Sequence, residues 1–408
     1  MLDCGRFNSN KALRMPHDPH LPSSDPAGLP DPPKTRGHTL PISFTGSGSE
    51  YFRIWVVNLL LILVTAGLYY PWAKVRRLRY FYGNTVVGAH PLDFHGDPKR
   101  MLRGFLLIAL LLLIYSVAGK VSPTAGLVAF VILVVVWPAL FRASQQFRLA
   151  NTSWRGLRLR FTGDLPGAYR AMLPLFVPGL LLLIVVMLNG DDPADRERAG
   201  VWVLLATFAP LLLFPLMWWL LKKYQHDHYA IGQVQTELRT GAGSFYLVFL
   251  KTAGVSLLVG LCGGGIVLAL LAGGSVMALG AGKGAAVVVT VAVSVALYAA
   301  MVLVIRPYAT SRLQNLVWNR TKSSDVRFES ALRFWPLFGL TLKNWLLVLL
   351  TLGMYWPFAA IATARLRLQA MTLYTRSEPD ELVSQTLASS NDATGDAAGD
   401  LFGIDIGL

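Results

Sequence analysis

The chain has 408 residues, 54% of them hydrophobic and only 15% charged, with a mean hydropathy of +0.48. A soluble domain carries about 25% charged residues, so this balance excludes an ordinary soluble protein and points to a multi-pass membrane protein. The net charge of +14 is uneven: seven acidic residues and no Lys or Arg follow Arg376, leaving +21 on the rest, an excess that suits cytoplasmic loops near anionic head groups rather than nucleic acid.

Residues 1–40 are polar and proline-rich, with Pro16, Pro19, Pro22, Pro26, Pro30, Pro32 and Pro33 and no apolar run of signal-peptide type. They are expected to form a disordered tail. A single apolar run follows at about 52–70. Three pairs come next: 103–119 with 124–141, 171–188 with 200–221, and 245–272 with 284–305. Each run approaches the roughly 20 residues that cross a bilayer. A second single run, 334–362, closes a membrane domain of 41–376, and the acidic segment 377–408 is expected to be disordered. Loops within pairs are short, and basic stretches lie between pairs, which places those stretches in the cytoplasm. The two single runs either cross fully or re-enter. Full crossing would put Arg365, Arg367 and Arg376 outside, against the charge rule.

The chain repeats itself. "ISFTGSG", "LDFHGDP" and "LRFTGDL" place Phe44, Phe94 and Phe161 two residues before Gly46, Gly96 and Gly163, after short alternating stretches that read as strands. Pro71, Pro138 and Pro215 stand 13 residues before Asn84, Asn151 and His228, and Pro307 stands 12 before Asn319. Asn84, Asn151, His228 and Asn319 are read as turn residues leading into strands, with Phe328 as the fourth counterpart of Phe94. "TLGMYWPFAAIATARLRLQ", containing Pro357, mirrors "TAGLYYPWAKVRRLRYFYG". One unit therefore recurs about five times: strand, membrane segment, proline, basic helix, polar turn. The proline is expected to end or bend the span, leaving a basic helix along the membrane plane.

At "FTGSGSEYFRIWVVNLLLILVTAGLYYPWAKVRRLRYFYGNT", "RLANTSWRGLRLRFTGD", "RLQNLVWNRT" and "TLGMYWPFAAIATARLRLQ" the chain resembles the YjgN-type family of bacterial inner-membrane proteins, a domain of unknown function. The resemblance covers about 40–375 and departs at His228, where the other units have Asn. It implies inner-membrane location and repeat architecture, and no substrate or reaction.

Other constellations read as structural. His226 and His228, and His90 and His95, lack the spacing of a helical zinc pair, so no metal or other cofactor is expected. "GAGKGA" lacks the Gly and Ser/Thr positions of a phosphate loop. Gly260 and Gly264, four apart, read as a close helix contact. Lys251 is read as snorkelling from inside a span. No catalytic acid, base or nucleophile set appears, so an enzyme is not expected.

The expected fold class is an all-α integral membrane bundle, with six spans, two single segments and small cytoplasmic strands. Two functions stand. One is transport or channel activity, suggested by internal repetition. The other is a structural protein that organises anionic lipid, the partner class expected here, through Arg76, Arg77, Arg79, Arg142, Arg148, Lys222, Lys223, Arg306, Arg312, Arg365 and Arg367.

Overall fold

A computed structural model describes residues 37–188, 193–378 and 380. Strands occupy His38–Phe44 (β1), Thr85–Val87 (β2), His90–Phe94 (β3), Thr152–Trp154 (β4), Leu157–Phe161 (β5), Tyr229–Ile231 (β6), Val234–Gln235 (β7), Glu237–Leu238 (β8), Thr321–Lys322 (β9), Val326–Ser330 (β10) and Met371–Thr375 (β11). Helices occupy Gly48–Val64 (α1), Tyr70–Gly83 (α2), Pro98–Val121 (α3), Pro123–Ala150 (α4), Leu165–Leu188 (α5), Pro193–His226 (α6), Ala242–Arg320 (α7), Phe334–Leu350 (α8) and Trp356–Gln369 (α9).

The eleven described strands form one sheet, with all neighbours antiparallel, in the order β7-β6-β5-β4-β3-β2-β1-β11-β10-β9-β8. Its two ends, β7 and β8, are consecutive in the chain with only Thr236 between them. The sheet thus returns on itself as a near-barrel, joined at this point by the chain rather than by hydrogen bonds between β7 and β8. The all-α expectation is corrected accordingly: the protein is mostly helical but carries a barrel. The short strands were anticipated; their closure depends on pairings between distant units.

The alternation that makes these strands is plain in β5, where Leu157 and Phe161 are buried and Arg158 and Arg160 are exposed. The β4–β5 turn places Arg155 (φ 52°) and Gly156 (φ 82°) in the left-handed region, the turn type that matches strand twist.

Among the described residues, six helices are long and apolar enough to cross a membrane: Pro98–Val121, Thr124–Ala150, Leu165–Leu182, Trp202–His226, Ala242–Gly265 and Val291–Arg320. The last two belong to α7. Its ends emerge from the paired strands β8 and β9, and a Cβ on Gly263 would lie 2.7 Å from Leu297, so the segment doubles back. Gly260 and Gly264, expected at a close contact, face open space; Gly263, one residue away from Gly264, is the close approach.

Each single run forms a helical hairpin. The 17 residues of α1 and of α8 span about 26 Å, less than the roughly 30 Å hydrocarbon core. Both then turn sharply through Ala66 and Gly67 (φ 48° and 93°) and Leu352 and Gly353 (φ 48° and 92°). In each turn a threonine hydroxyl accepts a backbone N–H across the corner, Tyr69 to Thr65 and Tyr355 to Thr351, both 2.9 Å. Because β1 pairs with β2 and β10 with β11, both ends of each helical hairpin lie at the sheet.

Pro71, Pro138, Pro215, Pro307 and Pro357 are all buried. Pro71 and Pro357 open α2 and α9, where a missing N–H costs nothing. Pro138, Pro215 and Pro307 lie inside α4, α6 and α7, which run on through them. In the middle units the proline therefore does not end the helix, which leaves the bend of the two expected outcomes. There the basic segment continues the spanning helix rather than lying beside it. Each helix packs on the next in sequence, and α9 packs back on α1. A ring of helices therefore stands on a ring of antiparallel strand pairs, four of them hairpins and the fifth formed by β11 with β1 from opposite ends of the described chain.

Candidate functional site: an axis lined by cations

The repeat motif acts at the seams between units. Phe44 packs against Tyr80 and Ile361, Phe94 against Val75 and Phe147, and Phe161 against Tyr224 with Phe141 alongside. Each ring is thus wedged between the basic helices of two adjacent units. Leu238 does the same beside Val317, Trp218 and Trp219. The strand register corrects the fourth assignment: Ser330 opposite Met371 holds the place of Phe44 opposite Thr85, so the counterpart is Ser330 and not Phe328. Sequence spacing missed this because it counted from Asn319, whereas the residue preceding β9 is Arg320, 13 residues after Pro307 and ten before Ser330. Ser330 replaces the wedge with polar bonds, donating its hydroxyl to Asn315 Oδ1 (2.8 Å) while its carbonyl accepts from Asn319 (3.1 Å).

The phenyl rings also explain the glycines. A Cβ on Gly46, Gly96 or Gly163 would lie 2.8, 2.5 or 2.5 Å from the ring two residues earlier. Where the ring is absent, Thr240 and Leu332 occupy the equivalent positions.

The carbonyl at this position is held by the preceding helix in every unit. Arg79 donates to Gly96 (3.1 Å), Arg142 to Gly163 (2.7 Å), Trp219 to Thr240 (2.9 Å) and Asn315 to Leu332 (2.9 Å). Arg365 of the last unit donates to Gly46 of the first (2.8 Å), which closes the circle. The geometry thus assigns Arg79, Arg142 and Arg365 to inter-unit clamps. The turn residues work locally: Asn84 and Asn151 donate to the carbonyl four residues back (2.8 and 2.7 Å), and His228 meets the Tyr224 carbonyl in the same way (2.8 Å). The departure from Asn at His228 keeps the bond. Asn319 instead holds Ser330.

The remaining predicted cations divide between surface and axis. Arg76 lies over Tyr69 (5.9 Å), Arg77 over Phe81 (5.6 Å) and Arg312 over Tyr308 (5.4 Å), all three exposed. Lys223 pairs with Asp227 at 2.9 Å. Arg148, Lys222, Arg306 and Arg367 form a chain with Lys74: Lys74 feels Arg148, Lys222 feels Arg148 and Arg367, and Arg367 feels Arg306. These five residues come one from each unit. Burial, then the charge of Arg148, pushes the Lys74 ammonium below its ordinary value. Lys222 donates to Gln225 (2.9 Å) and Arg367 to Gln314 (2.8 Å), neutral acceptors both. Among the described residues no ion pair joins any of the five to a carboxylate.

Two cavities adjoin this chain. One, of about 460 Å³, lies among α2, α7, α8 and α9 and is lined by Arg77, Arg306 and Arg367 with Thr310, Thr341, Asn344 and Thr363. The buried Asn344 Oδ1 has no partner there. The other, of about 360 Å³, fills the barrel beneath Arg148. Tyr82 and Tyr229 border it. Burial raises both phenols, Tyr229 to about 12, with Arg148 opposing in each case. Lys74 and the glutamines escaped sequence reasoning because they occupy different helical positions in different units. Neither histidine pair gathers ligands: His226 meets Thr321 (3.0 Å) and His95 meets Ser153 (2.8 Å).

The family model described as "Bacterial protein of unknown function (DUF898)" matches residues 39–401, from the first strand through most of the acidic tail. The chain belongs to this family. It is similar to the inner membrane protein YjgN of Salmonella typhimurium, 28% identical over 37% of this chain and 38% of that one. It is also similar to YjgN of Escherichia coli K12, 28% identical over 34% of this chain and 35% of that one. The aligned part thus spans little more than a third of the curated relatives. No solved structure matches significantly. With six helices able to span a bilayer, this DUF898 chain is a multi-pass protein of the bacterial inner membrane.

Proposed function

We propose that this protein is a transport-type membrane protein whose path follows the axis of the five-unit ring, and that the path takes anions. The observation that carries the reading is the chain of Lys74, Arg148, Lys222, Arg306 and Arg367, one from each unit and none paired with a carboxylate among the described residues. Lys74 and Lys222 are half-buried while Arg148, Arg306 and Arg367 are exposed, and a ring of cations without counter-ions attracts anions while repelling cations. The positive-inside rule sets the barrel on the cytoplasmic side. The test is reconstitution of the full chain into liposomes loaded with chloride, phosphate or potassium. Efflux of an anion above protein-free liposomes, with potassium retained, is expected. Equal leakage of potassium, or no efflux of any anion, would count against the reading.

A second reading rests on Arg76, Arg77 and Arg312, exposed and stacked on aromatic rings. Interfacial cations of this kind hold anionic lipid at about 1 kcal/mol each. In that reading the ring is a lipid-organising scaffold. Vesicle binding that depends on these three residues, without any efflux, would favour it.

A further inference from the structure

The barrel cavity is unlike an ion path. Its wall is apolar on every side, with Leu40, Leu92, Leu159, Val326, Phe328 and Leu373 contributed by β1, β3, β5, β10 and β11. At about 360 Å³ it has room for about a dozen waters at roughly 30 Å³ each. A buried water needs two to four polar partners, and the strand wall offers few. Apart from Thr236 and Thr375, the polar groups gather at one end. Tyr82, Gln145 and Arg148 reach the cavity from the last turns of α2 and α4, at the end facing the helix ring. Gln145 is buried, whereas Arg148 is accessible and has neighbouring cations but no carboxylate. The cavity is therefore an apolar sleeve closed by a cationic mouth.

We infer that the barrel binds a single-chain amphiphilic anion, its hydrocarbon in the sleeve against Leu159 and Phe328 and its head group on Arg148. The charge at the mouth selects the sign of the head group. The inference rests on the axial reading for how such a molecule arrives, but the site itself is defined by the barrel alone.

Binding is measured on the full chain in a non-ionic detergent, by quenching of tryptophan fluorescence, since Trp154 and Trp318 border the cavity. The probes are 11-bromoundecanoate, the matching brominated trimethylammonium and the matching brominated alcohol. Saturable quenching by the carboxylate is expected, with the ammonium much weaker. Arg148→Gln should weaken the carboxylate by about 10-fold or more, the worth of one charged hydrogen bond, and leave the alcohol unchanged. Leu159→Trp, which fills the sleeve, should abolish saturable binding of both, judged against its own fluorescence. Ile231→Phe, on the neighbouring strand, serves if the first variant does not fold. Equal affinity for the carboxylate and the ammonium would overturn the inference, as would binding indifferent to Arg148→Gln or to the filled sleeve. Acetate competing as well as the long-chain acid would show a simple anion site instead. Anion efflux without amphiphile binding would refute this inference and leave the axial reading standing. Amphiphile binding without efflux of any anion would do the reverse.

Discussion

Gly96→Ala tests the seam between units. The added methyl would sit 2.5 Å from Cε1 of Phe94, and the ring cannot swing away freely because Val75, Met101 and Phe147 enclose it. Overpacking of this kind costs about 1–3 kcal/mol. For a chain of this size, about 2 kcal/mol corresponds to a fall in Tm of roughly 2–3 °C. Phe94→Leu removes the clashing edge at its own cost in lost packing, yet the double variant should lose less than the sum of the singles. The expected coupling is about 1–2 kcal/mol, within the range for contacting residues. Thr240→Ala is the internal control: that position already carries a side chain, because Leu238 stands where Phe94 does, and its change should be small. Melting curves of the four variants in one detergent, followed by tryptophan fluorescence, give the result. An unchanged Tm for Gly96→Ala, or strict additivity in the double variant, would refute the proposed origin of the Phe-x-Gly motif.

Arg142→Gln and Arg365→Gln should each destabilise by about 1–3 kcal/mol by freeing a clamped carbonyl, whereas Arg76→Gln should leave the melting temperature unchanged; equal effects in the same assay would contradict the clamp. Tyr229 links stability to pH: its phenol is raised from 10 to about 12, so the stability it contributes is full below pH 10 and is lost as pH rises through 12. Tyr229→Phe should therefore flatten the alkaline loss of stability between pH 10 and 12, and an unchanged profile would argue against a buried phenol. Ser49→Cys and Ala89→Cys, at the two sheet-side ends of the first helical hairpin, should label with a membrane-impermeant maleimide from the same side of oriented vesicles; labelling from opposite sides would mean that 52–70 crosses fully.

Much of the architecture was legible in the sequence because it repeats. The spacing from proline to Asn84, Asn151 and His228 marked helix ends correctly, and His228 makes the bond its position requires. The six spans followed from hydropathy alone. The barrel was less legible. Its strands are two to seven residues long, and closure depends on β1 meeting β11 across almost the whole chain. The starting residue also misled: counting from Asn319 picked Phe328, while hydrogen-bond register picks Ser330, ten residues after Arg320. The cations show the deeper limit. All appear in the sequence as basic helices, yet Arg79 clamps a neighbouring unit while Arg148, on a different face of its own helix, lines the barrel. Which face a charge occupies depends on how the helices close into a ring.

The efflux assay repeated on single Gln substitutions addresses the anion path most directly. The axial reading predicts that Lys74→Gln, Arg148→Gln, Lys222→Gln, Arg306→Gln and Arg367→Gln each slow anion efflux severalfold, while Arg76→Gln and Arg312→Gln leave it at the parental rate. Efflux insensitive to all five axial substitutions, or equally sensitive to the two surface ones, would contradict a path along the ring axis.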